Sequence, residues 1–189
     1  MTMGTYIFCH NWYVYGNQNP VMWVDEDGLS NIYILFYAIN VTDAEYQMYL
    51  QNKKHFEKTM WLGREAEIEA NKRYEIGKRK SGDKGIDDNE DAYRHILWAA
   101  LITKELGEEY ARERLYAHEI ENGLDSQMDN LNNEVGIKLA TENASISNFD
   151  LKRLAQQMVD SGQAYILDKN KTRIVVSDDK YRKKKYKNK

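Results

Sequence analysis

Between Thr42 and Gly162, apolar side chains recur three and four residues apart in one segment after another, and this constrains the fold of the 189-residue chain more than any other feature. That spacing lines one face of an α-helix. Tyr46, Tyr49, Leu50, Phe56, Met60 and Trp61 carry the pattern to about Tyr74, as one long helix or two, and Thr42 or Asp43 can cap its start. A further helix is expected from Asp88 or Asn89 to about Leu106, with Ala92, Ile96, Leu97, Ala100 and Leu101 as its stripe and Gly107 as its end. Residues 108–121, 125–140 and a stretch from Asn148 or Asp150 to Val159 read as three more. The expected fold class is mainly α, a helical bundle.

The flanks read differently. Residues 6–24 mix aromatics, Asn and Gly with β-branched residues, the pattern of short strands and tight turns; so short a sheet cannot bury a face alone. Residues 77–89 (GKRKSGDKGIDDN) lack periodicity and read as an exposed loop. Residues 163–167 and 172–177 are β-like runs around the turn composition of residues 168–171, which predicts a small C-terminal β-hairpin. The single proline, Pro20, lies ahead of the helical region.

Charge narrows the function classes. The net charge is -3, but residues 180–189 hold seven Lys or Arg and no acid, which leaves 20 basic against 30 acidic residues elsewhere. An acidic body argues against a nuclease that grips phosphates along its surface, and against nucleic acid as a partner. The basic tail reads as a solvated, disordered end, or as a contact with an anionic surface. The longest apolar run, residues 32–41 (IYILFYAINV), falls well short of the roughly 20 residues needed to span a bilayer. It is also flanked like no signal peptide, so export would need a specialised route. The lone Cys9 excludes an internal disulfide.

Polar residues beside apolar stripes are the informative ones in a bundle. Three clusters qualify. In DAYRH (91–95), Asp91 and His95 are four apart, where a carboxylate can orient an imidazole; Arg94 lies between them and Trp98 follows. The second cluster, AHE (117–119), supplies His118 and Glu119. The third, MDNLNNEVG (128–136), sets Asp129 beside Asn132 and Asn133, with Gly136 leaving room for a substrate or for another helix. Adjacent Asn residues oppose helix propensity and need a compensating reason. Together the clusters offer general acid/base pairs, or nitrogen and oxygen ligands for a divalent metal that activates water, although the spacings fit no standard zinc motif. Taken singly, each also has a plainer reading: a histidine beside an apolar stripe is commonly just hydrogen-bonded, and Asp91 favours a helix N-terminus.

Two resemblances add to this. Residues 13–29 (YVYGNQNPVMWVDEDGL) resemble the end of the RHS-repeat-associated core, which closes the β-shell of RHS/YD-repeat polymorphic toxins. Pro20, Asp25, Gly28 and Leu29 stand in register with its ending, while Glu26 stands at the position of the family's second proline. The resemblance implies a remnant of core at 1–29, a toxin cargo at 30–179 ahead of the basic tail, an RHS shell, a cognate immunity protein and delivery into a target cell. The three clusters also resemble an uncharacterised helical domain at the ends of such proteins, with the pattern D-A-aromatic-R-H, A-H-E and M-D-x-x-N-N-x-x-G.

The resulting expectation is a helical effector that hydrolyses a cellular target, a phosphoester being compatible with Arg94 and a His/carboxylate site. His95 would be base or ligand, oriented by Asp91. His118, Glu119 and Asp129 would complete the set, and Arg94, Asn132 and Asn133 would hold a polar or anionic group. The competing expectations are a binding or membrane-damaging cargo, in which the polar clusters fix helix packing, and a nuclease carried by the basic tail.

Overall fold

A computed structural model describes residues 30–34, 37–74, 86–119 and 123–178. The proposed core remnant at 1–29 and the basic tail at 180–189 lie outside them. The fold is mainly α: among the described residues, six helices with a small antiparallel pair of strands on either side in sequence. The first pair, β1 (Ser30–Ile34) and β2 (Tyr37–Val41), aligns Ser30 with Val41 and falls on the apolar run that the sequence left unassigned, just ahead of the first expected helix. Alternation is absent there, so the run carried no strand period to read.

The predicted segment from Thr42 to Tyr74 is two helices. α1 (Asp43–Gln51) starts in a capping box, in which Thr42 Oγ1 accepts from the Glu45 amide and the Glu45 carboxylate accepts from the Thr42 amide. α2 (Lys53–Arg73) starts at Asn52, whose side chain accepts from the His55 amide; the cap breaks the chain direction between the two.

α3 (Asn89–Leu106) is the centre of the molecule. Asp88 caps it, accepting from the Glu90 and Asp91 amides, and Gly107 at φ 92° ends it. Fourteen of its 18 residues are buried, because α2, α4 (Glu108–His118), α5 (Leu124–Glu142) and α6 (Asn148–Asp160) all pack against it. A helix buried around most of its circumference needs apolar residues beyond one stripe, and Tyr93, Leu97, Ala99 and Ile102 supply them, each fully buried. α3 and α5 approach so closely at Gly136 that a Cβ there would stand 2.2 Å from the Ile96 carbonyl oxygen. The room that glycine leaves is therefore filled by the neighbouring helix.

α4 ends at His118, three residues earlier than the periodicity suggested, with Glu119 as its C-cap. The C-terminal hairpin forms as expected, β3 (Tyr165–Leu167) pairing with β4 (Ile174–Val176), Tyr165 opposite Val176.

Candidate functional site

His95 projects from the buried face of α3 and is only 5% exposed. Asp91, one turn earlier, places Oδ1 3.4 Å from His95 Nε2; Asp129, from α5, places its own Oδ1 3.4 Å from the same nitrogen. The ring's other nitrogen, Nδ1, is 3.3 Å from Asn133 Oδ1, one turn along α5 from Asp129. Two residues four apart on α3 and two four apart on α5 thus surround one imidazole, as side chains at that spacing must when their helices lie side by side. His95 Nε2 and one oxygen each of Asp91 and Asp129 lie within 4.8 Å of one another, and the group could hold a metal ion.

Asp91 is fixed on its far side. Its Oδ1 also pairs with the Arg94 guanidinium, and its Oδ2 accepts from the Asp87 amide at 2.6 Å. Burial would raise the Asp91 pKa, but the charge of Arg94, the contact with His95 and the Asp87 amide together hold it at about 2. Burial alone would deprotonate His95; the Asp129 and Asp91 carboxylates outweigh it and raise its pKa to about 9. Asp129 goes the other way: burial, with Asp91 and Glu119 close by, pushes it well above the carboxylate range against the pull of His95 and Arg94. One centre thus holds a carboxylate kept ionised and another pushed toward protonation, the separation of roles that acid/base sites use.

A second imidazole joins from the end of α4. Because α4 stops at His118, the Glu119 side chain turns inward. Its Oε1 lies 3.9 Å from His118 Nε2 and 4.0 Å from His95 Nδ1, between the two rings. His118 Nδ1 is 2.9 Å from Glu45 Oε1. The same Glu45 oxygen takes a 2.6 Å bond from Arg114, a fully buried arginine that also donates to Thr59 Oγ1 and lies over the Phe56 and Trp98 rings. Trp98 stands edge-on to both histidines, its ring centroid 6.5 Å from His95 and 5.2 Å from His118, and donates to the Thr59 carbonyl. Exposure rises outward, from Asp91 and His95 to Glu119, Arg94 and His118, whose side chain is 25% exposed.

The structure brings seven of the eight candidates together. Asn132 departs from them. It is fully buried and faces the C-terminal hairpin, donating to the Tyr165 carbonyl at 2.8 Å and accepting from the Tyr165 amide at 2.9 Å. Its reason for sitting in a helix is to stand in for a strand beside β3. Arg94 is occupied with Asp91 rather than presented alone to a ligand, and Asn133 serves His95. Glu45 and Arg114 were missed, since a pair 69 residues apart leaves no local pattern; the spacing of Glu45 three residues after Thr42 points only to a capping box. A cleft of about 440 Å³, lined by Arg112, Leu131, Glu134 and Tyr165 among others, holds none of the candidates.

Fold and site define a class: a small helical domain built around a buried carboxylate–imidazole centre. Residues 46–163 match the model of the family described as a domain of unknown function, DUF6973, and the chain belongs to that family. No curated protein and no solved structure matches it. The three clusters and Arg114 lie inside the matched span, whereas Glu45 lies one residue before it. No helix among the described residues is long and apolar enough to cross a membrane.

Proposed function

We propose that the chain is the effector cargo of an RHS-type toxin and that its His95 centre hydrolyses a phosphoester-containing target. The observation that carries the chemistry is the convergence of Asp91, Asp129, Asn133 and Glu119 on the two nitrogens of one imidazole. Hydrolysis of a phosphoester needs a base or a divalent ion to activate water, and a cationic group beside the developing charge. His95 and its carboxylates answer the first need, as base and partners or as ligands of an ion. Arg94, nearer the exposed edge, answers the second. The toxin assignment rests on the likeness of residues 13–29 to the RHS core, and the shell, the immunity protein and delivery into a target cell come with it.

A non-catalytic cargo is the second reading, favoured by the near-complete burial of Asp91 and His95, which is also what a packing network would show. Expression of the full chain in a susceptible bacterium separates the two. With equal folding and accumulation verified, the wild type should arrest growth and His95→Ala should not, and extracted lipids or nucleotides should change only with the wild type. Equal killing by both would remove the catalytic reading. If removal of residues 180–189 abolished toxicity, the nuclease alternative would gain.

A further inference from the structure

We propose that Asp91, His95 and Asp129 are the three protein ligands of a zinc-class divalent ion, with the fourth coordination position left to water. This deepens the reading of the His95 centre, but ion binding stands or falls independently of hydrolysis.

Four observations carry it. First, the donor spacing fits. Ligands about 2.0–2.1 Å from a tetrahedral zinc stand roughly 3.3 Å apart, and His95 Nε2 lies 3.4 Å from Asp91 Oδ1 and from Asp129 Oδ1. Those separations are long for hydrogen bonds and right for neighbours around one ion. Second, Asp129 Oδ1 is a buried oxygen, aimed at the imidazole, that accepts no hydrogen bond from the described residues. An orphaned acceptor in such a place costs stability unless something cationic meets it.

Third, the surroundings orient each ligand as metal sites require. Asn133 Oδ1 faces His95 Nδ1 and so favours the tautomer whose Nε2 lone pair is free to coordinate, while Arg94 and the Asp87 amide fix Asp91. Asp91 Oδ1 has lone pairs for both the guanidinium and an ion. Fourth, the two ligand carboxylates, Asp91 and Asp129, match the charge of a divalent cation once it takes the place of the proton on His95 Nε2. An imidazole ligand selects the zinc class over magnesium or calcium. Three protein ligands are the number that catalytic zinc sites use, because water takes the fourth place.

The test uses the full chain with Cys9→Ser, His10→Ala and His55→Ala, which removes the single thiol and the two imidazoles outside the site. After loading with zinc and desalting, one ion per chain should remain, and cobalt(II) in its place should give the strong visible absorption of four- or five-coordination. Asp129→Asn, near-identical in shape, should retain no ion. Asn133→Ala should bind about 10- to 100-fold more weakly, giving a graded readout should Asp129→Asn fail to fold. No retained zinc in the parent chain, or equal retention in Asp129→Asn, overturns the proposal. Loss of toxicity in His95→Ala without any bound ion would leave acid/base hydrolysis standing and remove the metal. A bound ion in a chain whose toxicity survives His95→Ala would do the reverse.

Discussion

Glu45 shows how much one buried carboxylate can hold. It caps α1, neutralises the fully buried Arg114 and anchors His118, and although burial would raise its pKa, those two partners bring it from 4.5 to about 2. The folded state therefore binds the Glu45 proton more weakly than the unfolded chain does. The stability this contributes is complete above pH 4.5 and is lost as the pH falls toward 2. Denaturant midpoints measured across that window should fall with pH. Glu45→Gln should be less stable at neutral pH, because Arg114 is left unpaired, and should decline less steeply in acid; Asp91 supplies the slope that remains. Asn132→Ala tests a different debt. It strips the Tyr165 amide and carbonyl of their partner and should cost about 1–3 kcal/mol in chemical denaturation, with zinc retention unchanged if Asn132 serves the hairpin alone.

At the scale of elements, the site exists because α3 and α5 touch, and Gly136 is where they touch. Gly136→Ala would drive a methyl group into the Ile96 backbone carbonyl and meet the Ala99 side chain. A loss of about 3 kcal/mol or more is expected in thermal or denaturant unfolding, at the upper end for overpacking because backbone cannot step aside as a side chain can. Much of this level was legible in the sequence. The 3.6-residue period gave α3, α5 and α6, Asp88 and Gly107 marked the ends of α3, and spacings of four put Asp91 with His95 and Asp129 with Asn133. Spacing along a helix shows which residues share a face, not which face meets which. Asn132 and Asn133 were therefore inseparable, although adjacent residues point about 100° apart and serve different neighbours. The alternative of two helices left the break at Asn52 unplaced, and the early end of α4 at His118 was not marked, because apolar spacing alone does not show where a helix stops.

At the scale of the molecule, the centre joins three segments: α3 through Asp91 and His95, α5 through Asp129, and the end of α4 through Glu119. An ion bound there adds a crosslink between helices that the unfolded chain lacks. By mass action it must then stabilise the folded state in proportion to the logarithm of its concentration above Kd. At a hundredfold excess over Kd the gain is about 2.7 kcal/mol, which for a domain of this size raises Tm by roughly 5 to 10 °C. Differential scanning calorimetry in zinc and in chelator should show that difference, growing with zinc concentration. In Asp129→Asn the two traces should coincide, at a midpoint set by packing alone. That variant also replaces a buried carboxyl beside His95, so the zinc-dependent increment, not the chelator midpoint, is the quantity that decides. An increment of equal size in Asp129→Asn would place the ion elsewhere on the chain and leave the α3–α5 centre a packing device.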